Sequence, residues 1–425
     1  MLFAHTRAAC ASFLFLGLLV CTAARAEAPP AGPPLSLREA VQLTLQRNPD
    51  LQVFAFALRA QDARTQQAGL RPPPELSAEI ENALGSGETK GFDTAEATFA
   101  LSQVIELGGK RSRRIAASQL GREALSVEQQ AAQLDVLAEV TRRFVHVASD
   151  QEQLALTRRA TELTRTTVAA VQRRVEAAKS PDVELYRARA SLTRAEIDLR
   201  HAEHELLASR RKLAAMWGER EARFGTVEAD LYAMPAPTPY EQLVARMAAN
   251  PDFVRFASEA RLRDAEIRLA EARRRPDVTL TGGIRRLQET SDTAFVVGFS
   301  VPLFAGRQAA PAIAEAQALR GQTDAEREAA FVKAQAQVYE LYQELAHAIN
   351  ETGTLKQDVL PQMEEALKQT EYAYDRGRYS YLELVDGQRA YLDSQRALIE
   401  AATTAQTLQA EIERLTGEPL AAGAY

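Results

Sequence analysis

The chain carries one structural plan twice, and this constrains its fold more than any other feature. Asn48-Pro49-Asp50 recurs as Asn250-Pro251-Asp252. At that spacing Phe54 matches Phe256, Arg59 matches Arg261, Asp62 matches Asp264 and Pro74 matches Pro276. Further on the register slips by a few residues. Glu184-Leu185 then matches Glu383-Leu384, and Gly218 matches Gly417. A repeat of this kind reads as two copies of one supersecondary unit packed together.

Each half has the same order of elements. A short helix precedes the Asn-Pro, and a second helix stops at Pro72-Pro73-Pro74 or at Pro276, because proline removes a donor and disfavours helix in the residue before it. Alternating segments follow. They are expected as strands over 75–82 and 95–107 in the first half, and over 278–287 and 294–304 in the second. Polar, glycine-containing loops, Gly85 to Gly91 and Gln288 to Asp292, separate each pair as in hairpins.

Long helices come next. No proline occurs between Pro74 and Pro181, so 111–179 reads as one helix, roughly 100 Å long at 1.5 Å per residue. Ser180-Pro181-Asp182 turns the chain into a returning helix over 182–217. The second half repeats this as a helix over 308–378, kinked at Pro361, and a returning helix over 381–416. Leu185, Leu192, Leu199, Leu206 and Leu213 lie seven apart, and their counterparts are Leu384, Tyr391, Leu398, Ala405 and Ile412. That period demands a supercoiled partner along the stripe. An antiparallel coiled coil satisfies it as well as a tube wall does.

The first residues bear on the compartment. Arg7, an apolar run through Val20 and Ala24-Arg25-Ala26 form the layout of a secretory signal peptide, with cleavage expected after Ala26. A lipoprotein reading would use Cys21, but Val20 stands where such signals carry a small residue. The chain is therefore divided into a signal peptide, 1–26, a first repeat, 27–225, and a second repeat, 226–425. Cys10 and Cys21 are the only cysteines and both lie in the signal, so cleavage would leave no disulfide and no thiol site. The formal charge is −6. Loss of Arg7 and Arg25 makes the mature chain −8, which disfavours nucleic acid as a partner. No later stretch is long and apolar enough for a transmembrane helix. Membrane entry would need strands closed into a barrel.

Phe99, Leu101, Phe295, Val297, Phe299 and Leu303 alternate with Ala100, Ser102, Gly298 and Ser300. One apolar and one polar-to-small face suits a pore wall against lipid, and a soluble hairpin domain shows the same alternation. Four strands cannot close a membrane barrel, so several copies would have to share one.

These residues resemble the outer-membrane efflux proteins of the TolC type over nearly the whole mature chain. Leu37 to Pro49 is similar to that family's opening helix ending in Asn-Pro. Leu360-Pro361 with Tyr374-Asp375-Arg376-Gly377 is similar to its last long helix, and Ser380 to Arg389 to the start of its final helix. The resemblance implies a mainly α fold of internally duplicated helical hairpins forming a periplasmic tunnel. Four strands per subunit would join a shared twelve-stranded barrel in a homotrimer set in outer-membrane lipid. It implies partnership with a periplasmic adaptor (membrane fusion) protein and an inner-membrane pump of the RND type. It places a periplasmic gate at Glu383 and Asp386, and adaptor-docking tips at Ala178, Lys179 and Ser180 and at Gly377, Arg378 and Ser380. Ala178 stands where a glycine is common. Gln103 to Arg111 resembles the cobalt-zinc-cadmium resistance branch, which implies metal cations as cargo; a drug or protein export duct and a periplasmic coiled-coil adaptor are the alternatives.

Glu383 and Asp386 also have a plainer reading as acids favoured by the dipole of a helix N-terminus. In a threefold assembly each becomes a ring that favours cations. His201 and His204 lie three apart, but no further ligands are evident in the sequence, so no metal site is assigned to the chain. His146 and His347 are isolated. Tyr372, Tyr374, Tyr379 and Tyr381 read as packing or interface residues. No phosphate loop or nucleophile elbow occurs. Neither an enzyme nor a cofactor is expected.

Overall fold

The structure is a computed structural model that describes residues 32–234 and 238–417. The signal peptide, its cleavage after Ala26 and the Cys21 alternative fall outside the described residues. The first repeat comprises β1 (Leu35–Ser36), α1 (Leu37–Arg47), α2 (Pro49–Ala68), β2 (Glu75–Glu81), β3 (Glu96–Ile105), α3 (Lys110–Glu176) and α4 (Asp182–Ala214), closed by a 3-10 turn over Ala215–Trp217. The second comprises β4 (Val227–Glu228), α5 (Tyr240–Met247), α6 (Pro251–Ala272), β5 (Val278–Leu287), β6 (Thr293–Ser300), α7 (Ala305–Thr354), a π turn (Leu355–Val359), α8 (Leu360–Asp375) and α9 (Tyr381–Thr416).

Several bounds differ from those read off the sequence. The strand expected over 294–304 ends at Ser300, because Pro302 has no N–H to give a ladder. The helix expected over 308–378 starts at Ala305, after Phe304 in the left-handed region at φ 62°. It is also divided in two. The break comes one turn before Pro361, where the wider i→i+5 turn absorbs the missing donor. The helix expected over 111–179 ends at Glu176.

The asparagine of each Asn-Pro motif is both a helix cap and a cross-link. Asn48 caps α2, accepting from the N–H groups of Asp50 and Leu51 at 3.0 and 3.1 Å, while its amide donates to Met216 O at 2.8 Å. Asn250 caps α6 through Asp252 N–H at 2.8 Å and donates to Arg414 O at 2.8 Å. Both side chains are buried. Each therefore ties the start of a second helix to the end of that half's returning helix. Gly218 and Gly417 follow those ends at φ 79° and 68°, a conformation that glycine adopts without a Cβ penalty. A Cβ on Gly417 would also lie 3.3 Å from the Asn250 Cα.

β2, β3, β5 and β6 form one antiparallel sheet in the order β2-β3-β5-β6. The central β3–β5 pairing joins the two halves, with Ala100 opposite Gly283. Edges β2 and β6 have no further strand partner among the described residues. The rods spring from one end of this sheet. At the β3–α3 elbow Gly108 and Gly109 have φ 76° and 71°. Arg114 forks onto Glu106 and donates to Leu70 O at 3.1 Å; Lys110 pairs with Asp277 at 2.8 Å. The stretch from Gln103 to Arg111 is thus a strand-to-rod joint.

α3 packs along α2, α4, α6 and α9, whereas α7 packs along α6 and α9. The helices make a wall with α6 between α3 and α7 near the sheet, and α9 between them farther away. Two matching cores hold the middle. One gathers Val140, Phe144, Val147, Leu213 and Trp217; the other gathers Val338, Leu345, Met247 and Ile412. Each fully buried side chain of this size contributes about 1.5–3 kcal/mol. The heptad stripe of α9 is largely buried, while that of α4 is half-buried except for Leu213, because α4 lies at the wall's edge.

Candidate functional site

The two hairpin tips are built alike. At the first, Ala178 N–H donates to Val175 O and Lys179 N–H to Arg174 O, both at 2.8 Å. At the second, Gly377 N–H donates to Tyr374 O and Arg378 N–H to Ala373 O, both at 2.9 Å. Both are Schellman closures, which place one residue in the left-handed region. That residue is Gly377 at φ 70° in one tip and Ala178 at φ 54° in the other. The alanine carries a Cβ cost of about 1–2 kcal/mol there.

The tips form one body. Val171, Ala188, Tyr374, Tyr381 and Leu384 make a shared buried cluster. Arg174 of α3 donates to Tyr374 O at the end of α8, stacks over the Tyr374 ring at 4.6 Å and reaches Ser180 Oγ at 3.2 Å. A guanidinium suits the negative end of a helix dipole. Gln388 donates to Thr167 at 2.9 Å, a second buried link between the hairpins. Tyr374 is only 2% exposed; burial pushes its hydroxyl pKa up. Sequence reasoning placed Tyr374 in an aromatic cluster but missed Arg174 and Gln388. Their helical spacing is unremarkable, and only the meeting of two hairpins gives them partners.

Of the residues singled out for a gate, Glu383 and Asp386 are both exposed near the start of α9. Glu383 is engaged in a capping box. Its carboxylate accepts from Ser380 N–H at 2.6 Å and Ser380 Oγ at 2.8 Å. The Ser380 backbone donor holds its pKa below the ordinary carboxylate value. Asp386 lies one turn on. Ala178, Lys179, Gly377, Arg378 and Ser380 are exposed and Ser180 is half-buried, so the two tips present one contiguous polar end.

At the far end of the rods, the sheet sorts its residues by face, since cross-strand partners point to the same side. Phe99, Ile284 and Phe295 form one row; Leu101 and Val297 belong to the next on that face. Phe295 and Val297 are each 88% exposed. Leu303 lies beyond β6. The opposite face carries Glu79, Thr98 and Arg285 in one row, and Glu75, Ser102 and Thr281 in another. Arg285 pairs with Glu96 at 2.7 Å and Glu81 at 3.0 Å. An apolar face this exposed needs a covering phase, and the polar face needs water.

His201 pairs with Glu205 at 3.1 Å and His347 lies 3.7 Å from Glu351. Among the described residues no group of three or more His, Cys, Asp or Glu could hold a metal ion. No helix among them is long and apolar enough to cross a membrane.

The sequence profile of the outer membrane efflux protein family matches residues 40–219 and 245–418, one segment in each repeat. The chain is 29% identical over 391 residues to the cobalt-zinc-cadmium resistance protein CzcC of Cupriavidus metallidurans, covering 91% of each chain. Its fold is similar to that of a membrane protein from Pseudomonas aeruginosa, with a TM-score of 0.74 at 20% identity over 93% of this chain and 94% of the other. It is also similar to CusC, with a TM-score of 0.73 at 17% identity over 90% of this chain and 92% of the other. Two profile segments that together span most of both repeats place the chain in the outer membrane efflux protein family.

Proposed function

We propose that the chain is one subunit of the outer-membrane exit duct of a tripartite efflux system, and that its cargo is heavy-metal cations. The observation that carries this reading is the four-stranded sheet, with one exposed apolar face, one charged face and two free edges. An open sheet in hydrocarbon would leave edge donors and acceptors unpaired, so β2 of one copy pairs with β6 of another until a barrel closes. Three copies give twelve strands, and the long hairpins hang below them as a periplasmic tunnel. The signal peptide directs export. The metal cargo is supported by similarity to a cobalt-zinc-cadmium resistance protein.

The tips complete the proposal. Ala178, Lys179, Ser180, Gly377, Arg378 and Ser380 form the surface that a periplasmic adaptor would meet, and the adaptor would join the duct to an RND-type inner-membrane pump. Asp386 would form the gate's threefold acidic ring. Glu383 sits beside it, with part of its charge committed to its own helix cap. The duct itself supplies a path and a gate, while energy comes from the pump.

Deleting the gene and measuring tolerance to zinc, cobalt, cadmium and a drug panel tests the cargo. Loss of metal tolerance alone supports metal efflux; loss of drug tolerance alone favours a drug duct. Recovery of the protein in soluble periplasm, with none in outer membrane, would refute the duct and favour a coiled-coil adaptor.

A further inference from the structure

We propose that each seam between neighbouring copies is a transition-metal site, made by His204 of one copy with His347 and Glu351 of the next. The inference rests on the trimeric reading above and assigns the register of its seams.

The repeat supplies the register. α4 maps onto α9 with a shift of 199, so that buried Ala202 and Leu213 correspond to buried Ala401 and Ile412. α3 maps onto α7 with a shift of 198, so that Val140 and Val147 correspond to Val338 and Leu345. Two ion pairs are related by the repeat as well, the arginines by the same shift of 198 and the aspartates by the shift of 202 that relates α2 to α6. Arg122 holds Asp62 at 2.7 Å and Arg320 holds Asp264 at 3.1 Å. The π turn before Pro361 adds the one residue that brings the tips into a shift of 199.

Within one copy, α9 lies on both α3 and α7, whereas α4 lies along α3 at the edge of the wall. A ring of head-to-tail contacts closes when α4 of one copy lies on α7 of the next as α9 lies on α3. Each α9–α3 contact then has a seam counterpart. Glu411 pairs with Arg142 at 3.2 Å; the counterparts are Lys212 and Glu340. Both charges are reversed, so the attraction survives, which supports the register independently of the histidines. Thr403 donates to Ser149 at 2.8 Å; the counterparts are His204 and His347. All four counterpart residues are exposed in the single chain.

The geometry suits a metal. Two hydroxyls in a hydrogen bond require β-carbons within roughly 6 Å. That is also about the spacing of the i, i+4 positions from which histidine pairs bind zinc on a helix. Glu351 already lies beside His347, 3.7 Å from its Nε2. Two imidazoles and a carboxylate suit zinc, cobalt or nickel, leaving one position for water. No single chain assembles three such donors among its described residues; the site is incomplete without the neighbour.

The test uses the full-length protein in detergent. His204→Cys combined with His347→Cys is expected to give disulfide-linked trimers on non-reducing denaturing gels, since a disulfide demands close, aligned Cβ atoms. Chelator-stripped wild-type trimers are titrated with zinc alone. We expect about three ions per trimer, and an affinity roughly 100-fold weaker, or worse, for His204→Ala and for His347→Ala. Native mass of the same samples reports assembly separately. Trimers without cross-linking overturn the register. Cross-linking with no zinc uptake, or uptake indifferent to both alanine variants, overturns the metal site. A monomeric mass with no barrel overturns the trimeric reading instead.

Discussion

At the residue scale, a few side chains hold distant elements together, and each invites a measurement. Asn250 is 1% exposed and serves as both helix cap and cross-link. Asn250→Ala removes the cap and leaves the part-buried Arg414 carbonyl of α9 without this donor, at a cost of roughly 1–2 kcal/mol; denaturation of the detergent-solubilised protein reads it. Tyr374→Phe has the opposite sign. The Tyr374 hydroxyl is buried without a hydrogen-bond partner among the described residues. Deleting it should leave stability unchanged or raise it by up to about 1 kcal/mol. A loss of several kcal/mol would reveal a partner. Glu383 gives the tip an acid-dependent component. Its pKa is lowered in the folded chain by the Ser380 N–H, so its contribution is complete above the ordinary carboxylate value of about 4.3. It is lost as pH falls through the lower folded value. Amide protection over residues 380–384, taken relative to the intrinsic exchange rate at each pH, should therefore drop below that range in the wild type. Glu383→Gln, whose amide also closes a capping box, should show no such step.

At the element scale, the parts legible in the sequence are those governed by local rules. Prolines 72–74 and Pro276 mark breaks between helix and strand, and alternation from Glu96 to Ile105 and from Val278 to Leu287 marks strands, because these signals act within a few residues. The seven-residue leucine stripe of α4 shows that it needs a partner, but not that α4 has neighbours on only one flank while α9 has them on two. That difference depends on where each half sits in the whole. Pro361 signals a disturbance; the π turn that absorbs it depends on the long helices on either side staying in register with their packed neighbours. At the tips, the glycine of one Schellman closure was visible as Gly377, whereas Ala178 in the same backbone conformation was marked only by the family resemblance, as standing where a glycine is common. The link from Arg174 to Tyr374 joins residues 200 positions apart, beyond any periodicity. The sheet offers a prediction of its own. Arg285 neutralises two of the acids on the charged face, Glu81 and Glu96. Arg285→Gln leaves both unbalanced, so reconstituted channels should favour potassium over chloride more strongly, by roughly twofold or more. An unchanged reversal potential would place that face away from the conducting path.

At the scale of the whole molecule, the chain is incomplete by design. Among its described residues the rods have exposed flanks, the sheet has two free edges and the apolar strand face lacks a partner. The proposed rotation, which brings β6 against the next β2 and α7 against the next α4, would repair the first two, and outer-membrane lipid would cover the third. Closure of this rotation in outer-membrane lipid is tested by extracting native outer membranes in mild detergent and measuring mass with and without boiling. A species of three chains is expected that is resistant to unheated denaturing detergent and collapses to one chain on boiling, with channel conductance in bilayers from the unboiled species alone. A protein that leaves the membrane fraction in buffer, runs as a single chain under both conditions and conducts nothing would contradict it.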